Sequence, residues 1–131
     1  MINFLICEDS RLTRNLIKNY VSDIKLGEEV CYFEASDGEG ALDALERNDI
    51  DFMLLDWNLS TNMTGLDVLR QVRADERFKN MPIVMVTSAS DKPSVIEALK
   101  AGSTDFIAKP IDKTNFSCKV QRLVLNMERR N

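Results

Sequence analysis

Five short apolar runs, each followed by a stretch with helical spacing, constrain the fold of this chain more than any other feature. The runs are NFLIC (3–7), VCYF (30–33), FMLL (52–55), IVMV (83–86) and FIA (106–108). They are continuously apolar rather than alternating, which is the pattern of strands covered on both faces in a parallel sheet. Leu12, Leu16, Ile17, Tyr20, Val21 and Ile24 repeat at helical spacing after a Ser10 cap. Ala41, Leu42 and Leu45 mark a short second helix, and Leu66, Leu69 and Val72 a third. The fourth has Pro93 near its first turn, a Val95, Ile96 and Leu99 stripe, and Gly102 at its end. The fifth runs from about Thr114, with Phe116, Val120, Leu123, Val124 and Met127 on one face. Its basic end, Arg129 and Arg130, complements the helix dipole. The order is (βα) five times over. It predicts an α/β fold, a doubly wound five-stranded parallel sheet with right-handed crossovers and helices on both faces.

With 131 residues the chain is expected to be one domain, 1–131, with nothing attached. A net charge of −4 argues against direct nucleic-acid binding, which wants a basic face. No apolar stretch approaches the roughly 20 residues of a membrane span, and MINFLICED lacks the basic start of a signal peptide. A cytoplasmic location is expected, with no membrane partner. Cys7, Cys31 and Cys118 are widely spaced and odd in number, so they form neither a disulfide framework nor a zinc pattern. There is no histidine, which excludes Ser-His-Asp and Cys-His machinery and histidine-ligated zinc. Chemistry must run on carboxylates, hydroxyls and lysines.

Open parallel sheets bind ligands at the carboxyl ends of their strands. Strand one ends in Glu8 and Asp9, strand three in Asp56, strand four in Thr87 and Ser88, and strand five in Lys109 and Pro110. Strand two, ending in Glu34, Ala35, Ser36 and Asp37, is less obviously equipped. Three carboxylates on one edge repel, by roughly 4 kcal/mol per pair at about 4 Å and an effective dielectric of about 20. Lys109 offsets one charge, and an oxygen-liganded divalent ion would offset two. Magnesium suits this donor set. Mg²⁺, Lys109 and the Thr87 hydroxyl around Asp56 would make a cradle for a phosphoryl group, and carboxylates can form aspartyl-phosphates.

The set Glu8/Asp9, Asp56 in LLDWN, Thr87 in VMVTS and Lys109-Pro110 in DFIAKP resembles the receiver domain of two-component response regulators. The resemblance spans essentially the whole chain and is closest to the single-domain chemotaxis type, which has no output domain. It implies a flavodoxin-like receiver fold with strand order 2-1-3-4-5. It implies that Asp56 accepts a phosphoryl group from a histidine kinase or phosphotransfer protein. Glu8, Asp9, Asp56 and the Asn58 backbone carbonyl would ligate Mg²⁺. Thr87 would hydrogen-bond the phosphoryl group, Lys109 would pair with it, and Phe106 would occupy the position of the switch aromatic. The output would be binding of a downstream protein through the surface of helix four, strand five and helix five. Such a domain is not an enzyme beyond its own phosphotransfer and dephosphorylation.

Three features depart from the family pattern. The acidic pair begins with Glu8 rather than aspartate. The loop DWNLSTNMTG lacks the usual proline, is one residue longer than common, and has Thr64 where an acid often precedes the glycine. Asn58 and Ala89 lie where the family tunes phosphate lifetime.

Rival readings are fewer. A haloacid-dehalogenase-type phosphatase would want an acid two residues after Asp56, where Asn58 stands. A phosphorylation-independent interaction module with the same fold is the other alternative. Asp56, Asn58 and Ser60 mimic the start of a calcium-binding EF-hand loop, but Thr61 and Asp67 replace its glycine and glutamate. SDGEG is too little for a dinucleotide fingerprint, and there is no GxxxxGK[ST].

Overall fold

The computed structural model describes residues 1–59, 62–88 and 92–127, with Lys92 described in its backbone alone. Ser60, Thr61, Ala89, Arg129 and Arg130, all named above, lie outside the described residues. The strands are β1 (Ile2–Cys7), β2 (Val30–Ala35), β3 (Phe52–Asp56), β4 (Ile83–Thr87) and β5 (Asp105–Ala108). The helices are α1 (Arg11–Ser22), α2 (Gly38–Arg47), α3 (Gly65–Arg73), α4 (Lys92–Lys100) and α5 (Lys113–Leu125), with a short 3-10 turn at Glu76–Phe78. All strand pairings are parallel, in the order β2-β1-β3-β4-β5. The doubly wound sheet expected from the alternation is therefore observed.

Strand side chains alternate between two cores. Leu5 and Cys7 of β1 face one core with Met53, Leu55 and Met85, closed by Ala41 and Leu45 of α2, Val68, Leu69 and Val72 of α3, and Ala98 of α4. Ile2, Phe4 and Ile6 face the other with Leu54, Val84 and Ile107, under Ile17 and Val21 of α1 and Phe116, Val120 and Val124 of α5. Phe4 and Phe52 stack there at 4.8 Å.

Three details differ from the sequence reading. Leu12 and Leu16 do not join the buried stripe of α1; Leu12 is 82% exposed. The sheet-facing side is set by Ile17 and Val21, and Leu16 lies about 100° around the helix from Ile17. In α4 the buried residue is Ala98, while Ile96 and Leu99 face outward. β2 is an edge strand paired with β1 alone, so most of its residues are only half-buried. Gly102 has φ +108, the left-handed conformation that ends α4's chain direction and turns it into β5. Among the described residues no helix is long and apolar enough to cross a membrane.

Candidate functional site

Strand order decides which ends meet. The contributors β1, β3, β4 and β5 are consecutive neighbours in the sheet, and β2 lies outside them. The ladder continues one residue past each strand. Glu8 N–H donates to Ala35 O at 2.9 Å, Trp57 N–H to Val86 O at 2.9 Å, and Lys109 N–H to Thr87 O at 2.8 Å. Glu8, Thr87 and Lys109 are thus held by backbone bonds on the same edge, and Asp56 stands next to the bonded Trp57.

There Glu8, Asp9 and Asp56 bring one carboxylate oxygen each within 4.8 Å of one another. Glu8 and Asp56 are 2% and 3% exposed, and Asp9 faces solvent. Lys109 Nζ lies 2.7 Å from Glu8 Oε1 and 3.4 Å from Asp56 Oδ1. The Ser10 N–H donates to Glu8 Oε2 at 3.3 Å, and the Asn58 N–H to Asp56 Oδ1 at 3.2 Å. Burial works to lower the Lys109 pKa, but the hydrogen bond to Glu8 and the charge of Asp56 outweigh it and hold the ammonium above its ordinary value. The thiol of Cys7, one residue before the pair, is pushed up to about 12 by burial, then by the charges of Asp56, Asp37, Glu8 and Asp9. Cys7 is therefore a neutral filler that donates to the Asp37 carbonyl at 3.4 Å. The three carboxylates, with Lys109 beside two of them, offer an all-oxygen donor set rich in negative charge. That set fits a hard divalent cation such as Mg²⁺.

The loop after Asp56 is shaped by two residues. Thr64 caps α3, its Oγ1 accepting from Asp67 N–H at 3.1 Å while Asp67 Oδ2 accepts from Thr64 N–H at 3.0 Å. Thr64 thus takes a capping-box role, and Asp67, the last position of the rejected calcium loop, is its partner. Gly65 is required by close approach. A Cβ there would overlap the Asp56 carbonyl oxygen and lie 2.9 Å from Trp57 Cα. Gly65 N–H also donates to Trp57 O at 3.1 Å, closing the loop onto the strand end.

Thr87 is buried at the end of β4, beside Asp56's strand. Phe106, on β5, is half-buried, and Lys119 Nζ sits 4.7 Å from its ring centroid. Lys119 also donates to Phe106 O at 2.7 Å and approaches Asp105 Oδ1 at 3.4 Å. Asn58 is exposed next to the cluster. The sequence reading passed over Arg14, whose Nη1 donates to the Glu8 carbonyl at 2.7 Å. Nothing in one sequence marks it, because the contact is to backbone. The crowding at Gly65 was equally hidden, although the TG preceding an apolar stripe signals a helix start.

Comparison with known proteins follows the same direction. The family model of the response regulator receiver domain matches residues 4–121. The chain is 37% identical over 122 residues to a chemotaxis protein CheY of Pseudomonas aeruginosa, covering 93% of this chain and 95% of that one. It is 43% identical over 110 residues to the chemotaxis protein CheY1 of Helicobacter pylori, covering 83% and 86%. Among solved structures it superposes at a TM-score of 0.81, with 26% identity, on the receiver domain of a Pseudomonas aeruginosa sensor histidine kinase, covering 95% and 98%. That receiver domain has a magnesium ion coordinated in its active site cleft. With the family model matching residues 4–121, nearly the full length, the chain belongs to the response regulator receiver domain family.

Proposed function

We propose that this protein is a response regulator in which Asp56 takes a phosphoryl group from a phosphohistidine on a partner kinase or phosphotransfer protein. An Asp56 carboxylate oxygen bonds to phosphorus as the donor's phosphorus–nitrogen bond breaks, and the imidazole nitrogen keeps the electron pair and takes up a proton. Glu8, Asp9, Asp56 and the Asn58 backbone carbonyl would hold Mg²⁺, which when bound supplies positive charge to the phosphoryl oxygens. Lys109 is already placed between two of the acids, and it would turn to a phosphoryl oxygen. Thr87 would hydrogen-bond another. The observation that carries the reading is the cluster of Glu8, Asp9 and Asp56, with the Lys109 ammonium between Glu8 and Asp56.

Phosphorylation adds about −1.5 to −2 charges to Asp56. Drawing Thr87 toward that charge would vacate space beside Phe106 and bias the surface of α4, β5 and α5, where Ile96 and Leu99 are exposed. A downstream protein would read that surface.

The test is intact-mass measurement after incubation with acetyl phosphate and Mg²⁺, for wild type and Asp56→Asn. A single base-labile phosphoryl adduct, lost in the variant and without Mg²⁺, is expected. Its absence from wild type overturns the proposal and favours a phosphorylation-independent interaction module.

A further inference from the structure

We infer that Arg14 is a positioning residue for the acidic cluster, gripping the backbone of the turn that carries Glu8 and Asp9 while Glu34 of β2 aims it. The inference rests on the magnesium-dependent reading above and assigns that site a residue from outside its charged core.

Arg14 lies at the end of the first turn of α1, and its side chain is 16% exposed. Its Nη1 donates to the Glu8 carbonyl at 2.7 Å and, at the longer distance of 3.4 Å, to the Asp9 carbonyl. Its Nε donates to Glu34 Oε1 at 3.0 Å. The planar fork of a guanidinium can serve acceptors on two sides at fixed angles, which an ammonium cannot. Glu34 is itself fixed from α1, accepting from Lys18 Nζ at 3.0 Å through its other oxygen. The hydrogen bond from Lys18, with the one from Arg14, holds the Glu34 carboxyl below its ordinary pKa, so it stays ionised.

The arrangement gives the end of β2 a task. Glu34 does not enter the acidic cluster; it holds the residue that holds the turn. Glu8 is the last residue of β1's edge to keep a ladder bond, and the turn from Glu8 through Asp9 must present two carboxylates at fixed directions. Metal sites depend on such outer contacts, and their loss typically costs about 10- to 100-fold in metal affinity.

The sign of the effect separates positioning from simple charge. Removing a cation near three carboxylates would, by Coulomb attraction alone, tighten Mg²⁺ binding. Removing a positioning residue weakens it. The assay is Mg²⁺ titration by calorimetry and by the fluorescence of Trp57, the sole tryptophan, adjacent to Asp56. Arg14→Met is expected to weaken Mg²⁺ binding about 10-fold or more, Arg14→Lys to restore only part of the loss, and Glu34→Gln to weaken it a few-fold. The double variant Arg14→Met with Glu34→Gln should bind like Arg14→Met alone, since Glu34 acts through the arginine. Wild-type affinity or tighter binding in a cooperatively folded Arg14→Met overturns the inference. Should that variant fail to fold, unchanged binding in Glu34→Gln overturns it instead. A wild type that binds Mg²⁺ and takes phosphate from acetyl phosphate, alongside an unaffected Arg14→Met, sinks this inference only. A wild type that does neither sinks both.

Discussion

Removing the central acid should make the metal-free protein more stable. Glu8, Asp9 and Asp56 present oxygens within 4.8 Å of one another, so each pair repels by at least roughly 3.5 kcal/mol at an effective dielectric of about 20. On the same scale, Lys109 attracts Glu8 at 2.7 Å by roughly 6 kcal/mol and Asp56 at 3.4 Å by roughly 5 kcal/mol. Asp56→Asn deletes two repulsions and one attraction, a net relief of roughly 2 kcal/mol, and its amide oxygen still accepts from the Asn58 N–H. Lys109→Met does the reverse. It leaves two buried carboxylates without their cation, a loss of about 3–5 kcal/mol. The assay is urea unfolding in EDTA, read by Trp57 fluorescence and far-UV circular dichroism. With a slope of about 2 kcal/mol/M, Asp56→Asn should raise the midpoint by about 1 M, and Lys109→Met should lower it by more than that. Saturating Mg²⁺ should shrink the Asp56→Asn advantage, because the ion neutralises the repulsion the substitution removes. An Asp56→Asn midpoint at or below wild type in EDTA would refute the reasoning. So would an advantage that Mg²⁺ leaves intact.

Gly65→Ala must push the α3 start away from the Asp56 carbonyl, costing about 1–3 kcal/mol in urea melts and slowing labelling by acetyl phosphate; a variant matching wild type in both would show that the loop yields freely. Stability should stay level up to about pH 9 and fall toward pH 12. Both Cys7, raised from 9.0 to about 12, and Lys109, raised above 10.5, contribute stability that is whole below the unfolded pKa and lost as pH climbs through the folded one. Cys7→Ala should abolish the first part of that decline, and a pH series of unfolding midpoints checks it. Iodoacetamide at pH 8 should label exposed Cys118 in the native protein and reach Cys7 only in urea, as peptide mass mapping would show. Lys119→Met removes the cation from the Phe106 ring and the bond to the Phe106 carbonyl, for a loss of about 1–2 kcal/mol in the same urea melts; an unchanged midpoint would show that the contact is idle in solution.

The fold was legible because its information is periodic. Runs such as FMLL and IVMV can be buried on both faces only in a covered parallel sheet, and the helical stripes between them dictate the crossovers. What misled was the direction of single stripes. Leu12 and Leu16 have perfect helical spacing, yet α1 turns Ile17 and Val21 inward, because rotation about a helix axis is chosen by packing against the sheet rather than by spacing. The acids and Lys109 were legible for a different reason. Each stands at the end of an apolar run, Asp9 one residue behind Glu8, and the parallel topology sends all those ends to one edge. Contacts made to backbone left no such trace. Arg14 reads as an ordinary helix cation until its carbonyl partners are seen, and Gly65 reads as a loop glycine until the Asp56 carbonyl is found in the place of its missing side chain.

The same topology explains why the site is a property of the folded state. Lys109 and Glu8 are separated by 101 positions, yet they meet at 2.7 Å because β5 and β1 run in the same direction through one sheet. In the unfolded chain Asp56 and Lys109 are far from the adjacent pair Glu8 and Asp9, so folding alone brings these four charges to one edge. An ion that binds only that assembled edge stabilises the fold by mass action, by about 2.7 kcal/mol at a hundred times its dissociation constant. The charge imbalance that weakens the metal-free fold is therefore the same imbalance that lets a divalent ion bind, and no substitution that cures the first can leave the second untouched. Glu8 makes this coupling direct: it lies closer to Lys109 than Asp56 does, so a cation drawn to Glu8 must compete with the lysine that would later meet the phosphoryl group.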